Sequence, residues 1–417
     1  MPRLHRVIVL GAAGALAITV RASDGLPRGF QVTTYAEGLV APVALAMADD
    51  GRLFVSEKNG AIRVIEPGGA LREAPFATLE VNTIGENGLL GLTLDPNFAA
   101  NGRLYVMGAI SPQEQHIVRF TDVDGFGADP FVIRASIPAG MLLHSGGGLA
   151  FGPDGKLYFS VGDTTDAEAA QDLKSLAGKL CRINPDGNIP DDNPFLTPTG
   201  SPRAVYALGF RNPFRFSFAP DGRLFVFDVG SDNPQRREEI NLVRAGDNCG
   251  WPLVEGSVGR DEHPDLVYPL FEYTEQGQAI TGGVYYTGDQ FPAEYRGALF
   301  HLEFVYNRVF VLTFDGDQVA GHELFAEVED GPVDITQGPD GSLYFSEIYT
   351  GTVKRIQYVG DVDAGPDEPT GAEVAGEVAE APSDATPPPA PLFCGFGVVP
   401  AALLSMVALV GGRFPTH

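Results

Sequence analysis

Four segments of the chain deliver a polar side chain next to glycine or proline. Glu86 precedes Asn87-Gly88-Leu89-Leu90-Gly91, His144 precedes Ser145-Gly146-Gly147, Asp163 closes Val161-Gly162-Asp163, and Arg211-Asn212 precedes Pro213. Imidazole takes up and releases a proton near neutrality, which makes His144 the candidate general base. A carboxylate beside an imidazole holds its orientation and stabilises its charged form, the role that Asp163 would fill. A guanidinium such as that of Arg211 suits negative charge that develops during a reaction. Residues 142–163 read LLHSGGGLAFGPDGKLYFSVGD. Strand, Pro153-Asp154-Gly155 turn and strand make a hairpin signal. A histidine at one end of such a hairpin and an aspartate at the other can lie side by side. Taken alone, the same residues are ordinary turn and strand-end chemistry, so the frame around them decides.

That frame is a repeat. A run of apolar residues, a glycine-containing turn and a strand rich in Leu, Phe, Tyr and Val recur at 43–55, 90–106, 148–161, 216–229, 282–311 (the loosest copy) and 334–345. The turn glycines are Gly51, Gly102, Gly155, Gly222, Gly297 and Gly341, at spacings of about 44 to about 75 residues, near or above the period of propeller blades. Each copy reads as the inner hairpin of a four-stranded sheet. Outer strands follow at 61–65, 116–120 and 353–358, and the strands at 31–35 and 353–358 would share a closing blade. Alternation of period two is loose, as in sheets packed on both faces. Residues 166–180 alone have helical composition and read as a loop insertion. The expected fold is all-β: a six-bladed β-propeller of four-stranded antiparallel sheets over residues 23–360, an architecture that leaves only short, protected edges. Loops between inner strands converge at one end of its axis, which would bring the polar groups together.

The 417 residues carry 28 Lys+Arg against 54 Asp+Glu, a net charge of −26. That balance opposes binding to nucleic acid, whose phosphates would be repelled. The first 22 residues read as an export signal: Arg3, His5 and Arg6, an apolar run over 7–20, and a cleavage pattern ending at Ala22. Export would take the chain to the periplasm or cell surface, where Cys181 and Cys249 can oxidise to a disulfide. Residues 361–391 are acidic and rich in Ala, Gly and Pro, the composition of a disordered linker. Residues 392–417 hold an apolar stretch interrupted by Pro400 and followed by Arg413, the character of a hydrophobic anchor or sorting tail for surface or membrane attachment. Its Cys394 is the third cysteine.

The stretches ENGLLGLTLDPNF, HSGGGLAFGPDGKLYFSVGD, GKLCRINPDGNIPDDNPF, LGFRNPFRFSFAPDG, EEINLVRAGDNCGWP and GPVDITQGPDGSLYFSE follow one another in this order. Together they resemble the glucose/sorbosone dehydrogenase family over about 29–358. The resemblance implies a soluble six-bladed propeller using pyrroloquinoline quinone (PQQ) and calcium to oxidise an aldose or related polyol, passing electrons to an external acceptor. It implies His144 as the base taking the anomeric hydroxyl proton and Asp163 as its orienting carboxylate. Arg211 would lie over the quinone oxygens, with Asn212 at the cofactor. Glu86 stands where some members have glutamine. The segment from Asp228 to Asp232, with Glu238-Glu239-Ile240-Asn241, resembles the family's calcium loop. Gly230 and Ser231 would then offer carbonyls and Glu239 a carboxylate. Cys249 replaces the tyrosine of the family's N-Y-G-W-P and could serve through its backbone oxygen.

One departure concerns charge. Classical members place a lysine in the fifth repeat and two arginines before the last Pro-Asp-Gly turn, which suits the three carboxylates of PQQ. Here those regions read HLEFVYNR (301–308) and EDGPVD (329–334). Arg308 is the cation left there, and Asp330 and Asp334 would repel an anion. The sequence therefore supports an exported PQQ- and calcium-dependent dehydrogenase, with a non-catalytic extracellular binding propeller as the alternative. A calcium-dependent hydrolase on the same architecture finds no water-activating carboxylate cluster among the motifs.

Overall fold

The computed structural model describes residues 25–360, apart from 202, 234–235 and 275–277. The expected signal at 1–22, the linker at 361–391 and the tail at 392–417 lie outside the described residues. Six four-stranded antiparallel sheets make up the described chain. Their inner hairpins coincide with the six sequence repeats: Pro42–Met47 with Leu53–Glu57, Leu89–Leu94 with Arg103–Ser111, Leu149–Phe151 with Leu157–Val161, Pro213–Phe218 with Leu224–Asp228, Ile280–Tyr285 with Leu299–Glu303, and Pro332–Gln337 with Leu343–Glu347. Each innermost strand packs against the innermost strands of the sheets before and after it, and the last packs against the first. The ring is therefore a closed six-bladed propeller.

Closure is made by the chain ends of the ring. Phe30–Ala36 pairs antiparallel with Thr352–Tyr358, so the first strand completes the last blade. Phe30 sits in a cage of rings, edge-on to Phe291, Phe325, Tyr295 and Tyr358 at centroid distances of 4.8 to 5.2 Å. The insertion at 166–180 forms one short 3-10 turn, Ala167–Ala170, before the chain enters the strand Lys179–Ile183.

Six apolar clusters lie between successive blades, and each draws on both of its neighbours. This is why second strands such as Leu157–Val161 and Leu343–Glu347 are buried along their whole length and why their alternation is weak. Cys181 lies in the cluster between the second and third blades, and Cys249 in that between the third and fourth. They flank opposite faces of one sheet, and both are free thiols. The disulfide that the sequence allowed is absent because a blade stands between the sulfurs.

Along the axis, Val43, Leu90, Phe214, Val333 and Ile348 form an apolar plug. Beside it the Arg215 guanidinium pairs with Asp334 at 3.3 Å and donates to the Val43 carbonyl at 3.1 Å, while the Leu45 N–H donates to Asp334 at 2.9 Å. A cavity of about 360 Å³ follows, lined by the later halves of the inner strands. Asp334 thus faces the axis with its charge already paired, not an anion at the entrance side.

Replacing Phe30 by alanine should destabilise the protein by about 3–5 kcal/mol, the usual cost of emptying such a site, and should lower the melting temperature. Alkylation of unfolded, unreduced protein followed by peptide mass mapping should label both Cys181 and Cys249.

Candidate active site

The four polar segments named from sequence meet at the entrance to the inner strands. His144 adopts a left-handed backbone (φ +60°), as do Thr164 (φ +57°) and Thr165 (φ +68°). Three non-glycine residues in this region, two of them β-branched, mark a strained turn that the surroundings must hold in place. The restraints are visible. The His144 N–H donates to Glu86 Oε2 at 2.6 Å, and the Thr164 N–H donates to the His144 carbonyl at 3.2 Å. Gly162 allows the close approach, because a Cβ there would lie 2.3 Å from the His144 oxygen.

His144 Nδ1 lies 2.7 Å from Asp163 Oδ1. An ionised carboxylate only accepts, so Nδ1 carries the hydrogen and Nε2 keeps its lone pair. No partner meets Nε2 among the described residues. Asp163 is 2 % exposed and also accepts from the Thr165 N–H at 2.8 Å and from the Trp251 indole N–H at 2.9 Å. Trp251 belongs to a motif quoted from sequence, yet its contact with Asp163 was not legible there.

Arg211 and Asn212 are held from behind. Both backbone N–H groups donate to the Asp228 carboxylate, at 2.9 and 2.7 Å. The Arg211 carbonyl accepts the Asp163 N–H at 2.7 Å, and Asn212 Oδ1 accepts the Gly146 N–H at 3.1 Å. That bond orients the Asn212 amide and leaves its Nδ2 without an acceptor among the described residues. The Arg211 guanidinium donates to the Val229 carbonyl at 3.2 Å, stands 3.9 Å from the exposed Asp232 carboxylate, and lies 5.9 Å from the Trp251 ring centroid. Glu86 is buried against the backbone of His144 rather than open to a ligand. Burial raises its carboxyl above the ordinary range, opposed by His144 and Arg211.

Three polar groups are thus available at this end of the inner strands: the acceptor Nε2 of His144, the Asn212 amide N–H₂, and the Arg211 N–H groups beyond the one given to Val229. The two donors, amide and guanidinium, suit the oxygens of an oxidised carbonyl-bearing group such as the quinone of PQQ, while Nε2 suits a hydroxyl proton. Other cations are committed elsewhere. Arg308 reaches across its sheet to Glu327 at 3.7 Å, and Lys354 pairs with Glu329 at 2.8 Å. Lys58, which sequence reasoning passed over, places its ammonium 2.6 Å from the Gly85 carbonyl and within the field of Glu86. Burial lowers its pKa. Nothing in the sequence around Lys58 marks it, because it comes from the first blade.

The residues singled out for calcium lie beside this centre. Gly230, Glu239 and Cys249 line a cavity of about 10 Å³ with Asp228, Glu255, Arg211 and Trp251, room for about one water-sized sphere. Asp228 and Glu239 are cross-strand partners. Burial, and then the charge of Glu239, raises Asp228 well above the carboxylate range, and burial pushes Glu239 up to about 7. Glu239 accepts from the Gly256 N–H at 2.6 Å and from Asn241 Nδ2 at 3.0 Å, while Asn241 Oδ1 is buried with no partner. Among the described residues no three His, Cys, Asp or Glu side chains converge on a metal position. A cation would have to draw on backbone carbonyls, as calcium commonly does. The Gly230 and Ser231 carbonyls accept no hydrogen bond among the described residues, so the donor set fits a hard cation. Cys249 would contribute only its backbone oxygen, because burial and then Glu239 push its thiol pKa well up and keep it protonated. Ser231 itself is held by Glu255, which accepts its N–H at 2.7 Å and its hydroxyl at 2.6 Å. Glu255 was not found from sequence: it lies in the 251–273 loop, whose shape no motif predicts.

The profile of the Glucose / Sorbosone dehydrogenase family matches residues 39–354. The chain belongs to this family. It is 28 % identical to the aldose sugar dehydrogenase YliI of Escherichia coli over 354 residues, covering 76 % of this chain and 90 % of that one. Among solved structures, the PQQ-bound aldose sugar dehydrogenase of Streptomyces coelicolor superposes with a TM-score of 0.69 at 28 % identity, covering 80 % of this chain and 99 % of that one. The mouse Hedgehog-interacting protein is 32 % identical over 211 residues, which is 43 % of this chain and 30 % of that one.

A neighbouring carboxyl gives a test of the site's electrostatics. Burial pushes Glu238 from an ordinary 4.5 up to about 7. Its contribution to stability is fully present below its unfolded pKa and is lost as pH rises through about 7. Glu238→Gln keeps an oxygen for the Gly230 and Ile280 N–H groups. Without calcium, the variant should gain a few degrees in melting temperature relative to the parent between pH 5 and pH 8. Parallel melting curves across that range would refute the assignment.

Proposed function

We propose that the protein is a PQQ- and calcium-dependent dehydrogenase that oxidises the CH–OH group of an aldose or related polyol. The observation that carries this reading is the His144–Asp163 pair, whose Nε2 has no partner among the described residues, on the segment that the Arg211 carbonyl and the Asn212 side chain hold in place. His144 Nε2 accepts the proton of the substrate hydroxyl as the C–H bond is broken. Asp163, fixed by three donors, stabilises the imidazolium that results. PQQ, when bound, supplies the two-electron acceptor for the hydride. Arg211 and Asn212 Nδ2 would hold its oxygens, and the guanidinium would suit negative charge there. Calcium would be held by Glu239 and the carbonyls of Gly230, Ser231 and Cys249. An external acceptor then takes the electrons. The reading includes export through residues 1–22 and attachment by the apolar segment at 392–417, on the strength of their composition.

A second reading rests on a specific observation. Arg308 and Lys354 are tied to Glu327 and Glu329, which leaves few cations for a tricarboxylate. It makes the protein an extracellular binding propeller without turnover.

Reconstitution with PQQ and calcium, followed by dye reduction across a sugar panel, separates the two. Turnover is expected, and His144→Asn should lower it by about 10²–10⁴-fold, the range of a general base. Asparagine tolerates the left-handed backbone, so such a loss reports on the ring. Absence of PQQ binding by folded protein favours the second reading.

A further inference from the structure

The carboxylate that orients the base is itself held by a residue from another blade. Asp163 leaves the third blade, whereas Trp251 lies on the segment after the third strand of the fourth blade, Glu238–Val243. The Trp251 indole N–H donates to Asp163 Oδ2 at 2.9 Å, while His144 and the Thr165 N–H occupy Oδ1. An unanchored carboxylate can rotate about its terminal bond, a broad torsion with little intrinsic preference. A donor on the second oxygen removes that freedom.

Trp251 is braced in turn. Its backbone N–H donates to the Gly209 carbonyl at 3.0 Å, and its carbonyl accepts from Gln171 Nε2 at 2.6 Å. Gln171 and Asn248 exchange side-chain bonds at 3.0 and 2.8 Å. The loop that carries Gln171 is clamped by the buried ammonium of Lys179, which donates to the carbonyls of Ala169, Ala170 and Ala177 at 2.7 to 2.9 Å. Their effect passes through Asp163.

We infer that Trp251 is a positioning residue for the His144–Asp163 pair, and that the Gln171–Asn248–Trp251 brace sets the geometry of the base across the junction of two blades. The inference rests on His144 acting as the base, but the contact can be tested apart from turnover. Trp251 is the single tryptophan of the chain, so the emission comes from this residue alone. Its indole N–H sits on the Asp163 carboxylate and its ring beside the Arg211 guanidinium.

The test combines kinetics with two spectroscopic readings. Trp251→Phe keeps a ring beside Arg211 and removes the donor. It should lower kcat by about 10–100-fold, the value of a hydrogen bond to a charged group, with KM for the sugar nearly unchanged. In an Asp163→Asn background the same change should have little further effect, because both act through one group. Independent, multiplying losses would overturn the inference. In the cofactor-free protein, Asp163→Asn should shift the Trp251 emission maximum. Trp251→Phe should make the low-field Nδ1 proton of His144 exchange faster in NMR spectra. Unchanged emission together with an unchanged imidazole signal would also overturn it. If the parent protein shows no turnover, the proposed function fails, and the emission and NMR readings alone decide the brace. The emission reading does not require Trp251→Phe to fold.

Discussion

The site depends on the carboxylate of Asp163 being saturated. Three donors reach its two oxygens, one from an imidazole, one from the backbone two residues on, and one from an indole in the next blade. A carboxylate met by three N–H donors is the acceptor in each bond. As an acceptor it fixes the hydrogen on His144 Nδ1, which in turn decides that the lone pair on Nε2 faces outward. Every chemical property attributed to the base follows from that one arrangement.

The arrangement is costly locally, and the fold supplies restraints around it. His144, Thr164 and Thr165 hold left-handed backbones that cost of order 1–3 kcal/mol each when unsupported. Glu86 from the second blade grips the His144 N–H, and Asp228 in the fourth blade grips Arg211 and Asn212, whose carbonyl and side chain grip the third. A propeller suits this work. Its blades bury both faces against neighbours, so loops from three separate sheets are fixed relative to one another by apolar contact away from the site. The buried carboxylates that do the gripping are expensive to desolvate, as the raised pKa values of Glu86 and Asp228 indicate. They occur where backbone N–H groups would otherwise lack partners.

The fold was largely readable because each blade repeats one unit. The glycine turn between two apolar strands is local in sequence, and six copies at blade-like intervals leave few other architectures. The closing pair Phe30–Ala36 and Thr352–Tyr358 was readable from position at the two ends of the ring. The proximity of His144 and Asp163 was readable for the same reason, since one hairpin joins them. Trp251, Glu255 and Lys58 were not, because each reaches the site from a blade or long loop whose path has no local signature. The charge of Asp334 was misjudged similarly. Its neighbour in sequence is an acidic turn, whereas its neighbour in space is Arg215 from a blade across the axis. Pairings of that kind depend on closure of the ring, which no short window of sequence contains.

The distribution of cations bears on how such a scaffold changes use. The base, its carboxylate and the Arg211-Asn212 pair are tied into backbone bonds that also hold the blades together, so losing them would carry a structural cost. Arg308 is different: it forms an ion pair with Glu327, which is about half exposed, and such pairs contribute little stability, whereas Lys354 is buried and also lies 3.6 Å from the buried Glu347. Charges around the rim can therefore be exchanged at small cost while the centre stays fixed. A chain can keep the geometry of the base and lose affinity for an anionic cofactor, or regain it, through a few rim substitutions. This gives a physical route by which chains similar to sugar dehydrogenases could differ in their affinity for such a cofactor.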